Sequence, residues 1–79
     1  MIKKPVPESY NRKLQQISSM LRETRIGNGY TQEGLTEYLN LHRNSIVRAE
    51  NGKNITLLTL FELADTLQIS LEDLFMDIE

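Results

Sequence analysis

Apolar residues recur along most of the chain at three- and four-residue steps, and no run alternates at period two for long enough to make a strand. Residues 1–8, with two prolines and two lysines, read as an extended N-terminal arm, and residues 9–79 as a single domain. Ser9 or a neighbour is placed to cap a first helix running to about Ile26. Its stripe is Tyr10, Leu14, Ile17 and Leu21, which at 100° per residue fall within roughly 40° of one another. Gly27-Asn28-Gly29 ends that helix. Thr31 suits the N-cap of a second helix with Leu35, Tyr38 and Leu39 turned inward. Gly34 inside it costs about 1 kcal/mol relative to Ala. Asn40, which tolerates the left-handed conformation, permits a tight turn into a third helix from about His42 or Arg43 to Asn51, closed by Gly52. Thr56 caps a fourth helix with Leu57, Leu60, Phe61, Ala64 and Leu67 along its core side. Ile69 staples the turn that follows, and Ser70 with Asp73 resembles a capping box for a short fifth helix carrying Leu71, Leu74, Phe75 and Ile78. The pattern predicts an all-α domain of five helices.

Composition narrows the possibilities. Seventy-nine residues suffice for one core. At 39% hydrophobic and 25% charged the chain is globular, and no apolar run approaches the roughly 20 residues of a membrane-spanning helix, so a soluble protein is expected. There is no cysteine and only one histidine, which leaves no disulfide, thiol nucleophile or usual structural zinc site; no metal and no cofactor is expected. The first seven residues hold no secretory apolar segment, and a cytoplasmic setting is the expectation.

The net charge of −2 conceals a strong asymmetry. Residues 1–55 carry all nine basic side chains against five acids, whereas residues 56–79 carry six acids and no base. Only the first part suits a polyanion. Asymmetry alone is equally consistent with an acidic tail that maintains solubility, so the helical pattern has to decide.

On a helical wheel, Ser45, Ala49, His42, Ile46 and Glu50 occupy one side of the third helix, and Arg43, Val47, Asn51, Asn44 and Arg48 the other. The first arc is mostly small or apolar and should face the core, which points two arginines and two asparagines outward on one rod. Arg bonds guanine O6 and N7 bidentately, Asn does the same with adenine N6 and N7, and the major groove admits a helix. An ordinary solvated face is the alternative. Two charges sit on inward arcs: Arg25 lies in line with Leu14 and Leu21, and Glu50 lies beside Ile46. A lone buried charge is costly, so an Arg25–Glu50 ion pair joining helices one and three is expected, against the alternative that either side chain reaches solvent.

The stretch Thr31-Gln32-Glu33-Gly34-Leu35-Thr36-Glu37-Tyr38-Leu39-Asn40-Leu41-His42-Arg43-Asn44-Ser45-Ile46-Val47-Arg48-Ala49-Glu50-Asn51-Gly52-Lys53 resembles the phage repressor and Cro-type helix-turn-helix, also called the xenobiotic-response-element family. The similarity extends over about residues 10–76. It implies a second helix lying over the DNA backbone and a third inserted in the major groove, usually by a symmetric dimer. By position, the resemblance implies base contacts from Arg43, Asn44 and Arg48, with Val47 available to a thymine methyl. It implies phosphate contacts from Gln32, Asn51 and Lys53, Gln32 also bracing the reader, and a buried ion pair between Arg25 and Glu50. Thr36 stands where the family favours Ala and Asn40 where it favours Gly. Gly34 replaces the acid that would complete a capping box with Thr31. His42 holds the expected Ser or Thr N-cap, either as a structural residue or as a phosphate contact.

Taken together, these features predict a non-enzymatic, sequence-specific regulator that binds a pseudo-palindromic site on double-stranded DNA as a homodimer, its two reading helices about 34 Å apart. Leu58, Leu74, Phe75, Met76 and Ile78 are the candidate dimer residues, with completion of the monomer core as the alternative, for Leu74 above all. A small phage-type repressor and a restriction–modification controller both fit. The competing class is an antitoxin-like subunit that also binds DNA and holds a protein partner through Leu58 and the last helix.

Overall fold

The computed structural model describes residues 4–78, and the Lys3 part of the expected N-terminal arm lies outside them. Five α-helices follow one another: α1 (Glu8–Gly27), α2 (Gln32–Leu35), α3 (Arg43–Glu50), α4 (Leu57–Leu67) and α5 (Leu71–Phe75). A short 3-10 turn, Thr36–Tyr38, continues α2, and the described residues contain no strand. The all-α, five-helix expectation holds.

Local chemistry places the helix ends. The hydroxyls of Thr31, Thr56 and Ser70 accept hydrogen bonds from the amides of Gly34, Thr59 and Asp73, which satisfies donors that the first turns of α2, α4 and α5 would otherwise leave open. The first helix differs from expectation: it starts one residue before Ser9, and its N-cap, Pro7, makes no side-chain cap bond. Three helices stop in the same way. Tyr30 N–H bonds Arg25 C=O after α1, Lys53 N–H bonds Arg48 C=O after α3, and Ile69 N–H bonds Ala64 C=O after α4. The left-handed residue that each such closure needs is Gly29, Gly52 and Gln68 respectively.

The second helix is shorter than its apolar spacing predicts. Thr36 turns its hydroxyl back onto the Glu33 carbonyl, and the backbone tightens into the 3-10 turn. Asn40 does not adopt the left-handed conformation, because the chain leaves this turn through an extended Leu39 instead.

The core is Leu21, Leu35, Ile46, Ala49, Leu60, Leu63, Leu67 and Leu74, with Ile17, Met20, Leu39, Leu41, Ile55 and Ile69 packed around it. Every helix contributes, and α3 packs chiefly against α1 and α2. Four residues expected inside are exposed: Tyr10, Tyr38, Leu57 and Phe61. Tyr10 sits two turns before the part of α1 that meets the core. Tyr38 lies in the 3-10 turn and rests edge-on against Tyr30 at 5.5 Å. Leu57 is the first residue of α4, and Phe61 lies beside the buried arc formed by Leu60, Leu63, Ala64 and Leu67.

Candidate nucleic-acid interface

One flank of α3 is sealed and the other is open, as its wheel predicts. Ile46, Ala49 and Glu50 are buried, Ser45 is half-buried, and Arg43, Asn44, Arg48 and Asn51 are exposed. Val47 is half-buried at the edge of the open flank, and His42 is exposed at the N-cap with no cap hydrogen bond from its side chain.

What fixes this rod is a charged bracket across α1, α2 and α3. Arg25 and Glu50 are each only 8% exposed. Arg25 Nε donates to Glu50 Oε2 at 2.6 Å and Nη2 to Oε1 at 3.1 Å, while Nη1 donates to the Tyr30 carbonyl at 2.7 Å. Glu50 Oε1 also accepts from Gln32 Nε2 at 3.1 Å. Both ions are thus fully engaged, and among the described residues no buried side-chain polar atom lacks a partner. Such a pair contributes little net stability once desolvation is counted, but it ties the end of α3 to α1 in one orientation.

Gln32 carries the bracket outward. Its amide oxygen faces Arg43 Nη2 at 3.5 Å, so the residue that opens α2 reaches the first residue of α3. Arg48 Nη2 donates to the Asn54 carbonyl at 3.2 Å, which lays this guanidinium along the loop that also bears the exposed Lys53. Arg43, Asn44, Arg48, Gln32 and Lys53 therefore belong to α3 and the segments bonded to it. Among the described residues, no three His, Asp or Glu side chains gather to share a metal ion, and no helix is long and apolar enough to cross a membrane.

Two positioning residues were not singled out in the sequence. Ser18 is buried, its hydroxyl donating to the Ala49 carbonyl and accepting from Gly52 N–H at 2.9 Å, and Gln15 Nε2 donates to the Asn51 carbonyl at 3.4 Å. They clasp the C-terminal end of α3, whose last carbonyls have no partner within the helix. The signal was present: Ser18 lies three residues before Leu21, within the apolar stripe.

The candidate dimer residues divide. Leu58 and Met76 are 67% and 64% exposed, and Phe75 is also exposed. Ile78 is half-buried and lines a shallow pocket with Gln16, Met20 and Leu74. Leu74 has no surface to offer a partner: it is fully buried, because its place on α5 points it into the core. Leu57, Phe61 and Leu71 are further exposed apolar residues of the same two helices.

No curated protein matches the chain at significant similarity. A helix-turn-helix family model does match, over residues 21–74, from the last two turns of α1 to the penultimate residue of α5. The matched segment holds the bracket, the open flank of α3 and the loop beyond it, and the chain belongs to the Cro/C1-type helix-turn-helix family of DNA-binding regulators.

Proposed function

We propose that the protein is a sequence-specific transcriptional regulator that binds a pseudo-palindromic operator as a homodimer, each protomer placing α3 in the major groove. The observation that carries this reading is the exposure of Arg43, Asn44 and Arg48 on a helix whose opposite side is buried. Arg43, Asn44 and Arg48 are the base-reading groups and Val47 supplies apolar contact to a thymine methyl. Gln32, His42, Asn51 and Lys53 meet phosphates and hold the register. Gln32 has a second task, since its amide spans the bracket and Arg43 and so limits the directions that guanidinium can take.

The dimer reading is supported by apolar surface on α4, on α5 and at the C-cap of α5 that one chain leaves uncovered: Leu57, Leu58, Phe61, Leu71, Phe75 and Met76. The acids among residues 56–79 keep this end away from a polyanion, which suits contact between protomers rather than with DNA.

Selection of bound duplexes from a random library at a stated salt concentration tests the proposal. Enrichment of an inverted repeat whose half-sites are one helical turn apart is the expected result. Recovery of duplexes with no shared sequence would overturn specific reading, and a single unrepeated half-site would overturn the dimer.

A further inference from the structure

The family match begins at residue 21, whereas α1 begins at Glu8, so its first thirteen residues add more than three turns that the matched segment lacks. This extension does not stand apart from the DNA-binding end. Gln15 and Ser18 fasten it to Ala49, Asn51 and Gly52, and a Cβ on Gly52 would overlap the Gln15 amide, so helix and loop are in direct contact. Between them runs an open groove of about 700 Å³. Lys13 and Asn11 line it from α1, and Asn51, Lys53 and Asn54 from the loop. Val6, Tyr10 and Leu14 supply apolar lining, and no carboxylate lines it.

We propose that this groove receives the sugar–phosphate backbone of duplex DNA flanking the base pairs that α3 reads, with Lys13 and Lys53 as its charged contacts. The proposal rests on the reading of α3 as a major-groove helix. Three properties of the groove favour a nucleic-acid strand. It is continuous with the loop that follows α3. Its charged lining is entirely cationic, and its asparagine amides can donate to phosphate oxygens. Its apolar part suits the C–H faces of deoxyribose. Because the extension is clasped to the loop, Lys13 is carried to the duplex by the same docking that brings in Lys53, and phosphate contacts made in this way position the protein without reading sequence.

The test is fluorescence anisotropy with the duplex selected from the random library, prepared with and without flanking base pairs and titrated between 50 and 200 mM salt. On the flanked duplex, Lys13→Ala should lower the slope of log Kobs against log[salt] by about 0.9 per protomer, or about 1.8 for the dimer, so that fourfold more salt weakens binding about twelvefold less than it weakens the parent. Lys13→Arg should keep the parent slope, base preference should not change in either variant, and on the trimmed duplex Lys13→Ala should have no effect. Circular dichroism checks that each variant folds. An unchanged slope for Lys13→Ala, while Arg43→Ala still loses base preference, overturns the groove and leaves the reading of α3 in place. If the parent protein binds no duplex, both fall. If Tyr10→Ser dissociates an oligomer in sedimentation while the salt slope of Lys13→Ala stays at the parent value, the groove is a protein contact and the proposal is overturned.

Discussion

Helix α3 buries Ile46, Ala49 and Glu50 and turns Arg43, Asn44 and Arg48 outward, whereas α4 buries Leu60, Leu63, Ala64 and Leu67 and turns Leu57, Leu58 and Phe61 outward. Both helices lean on the same core. Their outer flanks differ in kind: one presents directional donors and positive charge, the other apolar surface near a cluster of acids. The positive flank suits hydrogen bonding to base edges and phosphates. The apolar flank gains free energy only when water is driven off it, which requires another surface of similar character. The two flanks thus ask for chemically different partners.

The sharpest way to break the α3 side is to strand its bracket. Glu50→Ala leaves the Arg25 guanidinium buried without its carboxylate, and we expect a loss of about 3–5 kcal/mol in unfolding free energy, read by chemical denaturation. Replacing Arg25 as well should restore part of that loss, since no uncompensated ion then remains. If Glu50→Ala is as stable as the parent, the bracket does not orient α3. On the α4–α5 side, Phe75→Ser should weaken dimerisation by about 1.5–3 kcal/mol if the ring is fully covered in the dimer. Sedimentation should show this with little change in the denaturation midpoint extrapolated to the monomer, because Phe75 lies outside the core that its neighbour Leu74 enters.

Smaller effects sharpen the contrast. Arg43→Ala should cost about 1–3 kcal/mol on the selected operator and relax preference at particular base pairs, while stability is retained. A uniform loss across unrelated sequences would move Arg43 from base reading to phosphate contact. The smallest expected change is a gain. Gln68 closes α4 in the left-handed conformation at φ 59°, where a side chain is disfavoured, so Gln68→Gly should stabilise the fold by about 0.5–1 kcal/mol without altering DNA binding. Thermal unfolding with parallel anisotropy checks both parts.

Much of this is legible in the chain because its causes are local. Thr31, Thr56 and Ser70 each stand one residue before a helix, and a hydroxyl there has an amide within reach whatever the rest of the molecule does. Arg25 and Glu50 are legible for another reason: each interrupts an apolar arc, and burial leaves them few partners except each other. What the period does not reveal is where a helix loses its neighbours. Tyr10 shares a stripe with Leu21, but the stripe outlasts the core by about two turns. Helix α4 has a broad apolar arc that Leu57 and Phe61 share with Leu60 and Leu63, and only the placement of the other helices separates them. The 3-10 turn after α2, where the Thr36 hydroxyl bonds the Glu33 carbonyl, is not encoded in apolar spacing.

The most direct measurement is an amide-resolved NMR titration of the protein with its selected duplex. We expect the largest shift changes at Arg43, Asn44, Val47 and Arg48 and in the Asn51–Lys53 loop, with Leu58 and Met76 unmoved beyond what dimer formation itself produces. Shifts concentrated on α4 and α5, with the open flank of α3 unaffected, would contradict the assignment of DNA to that flank.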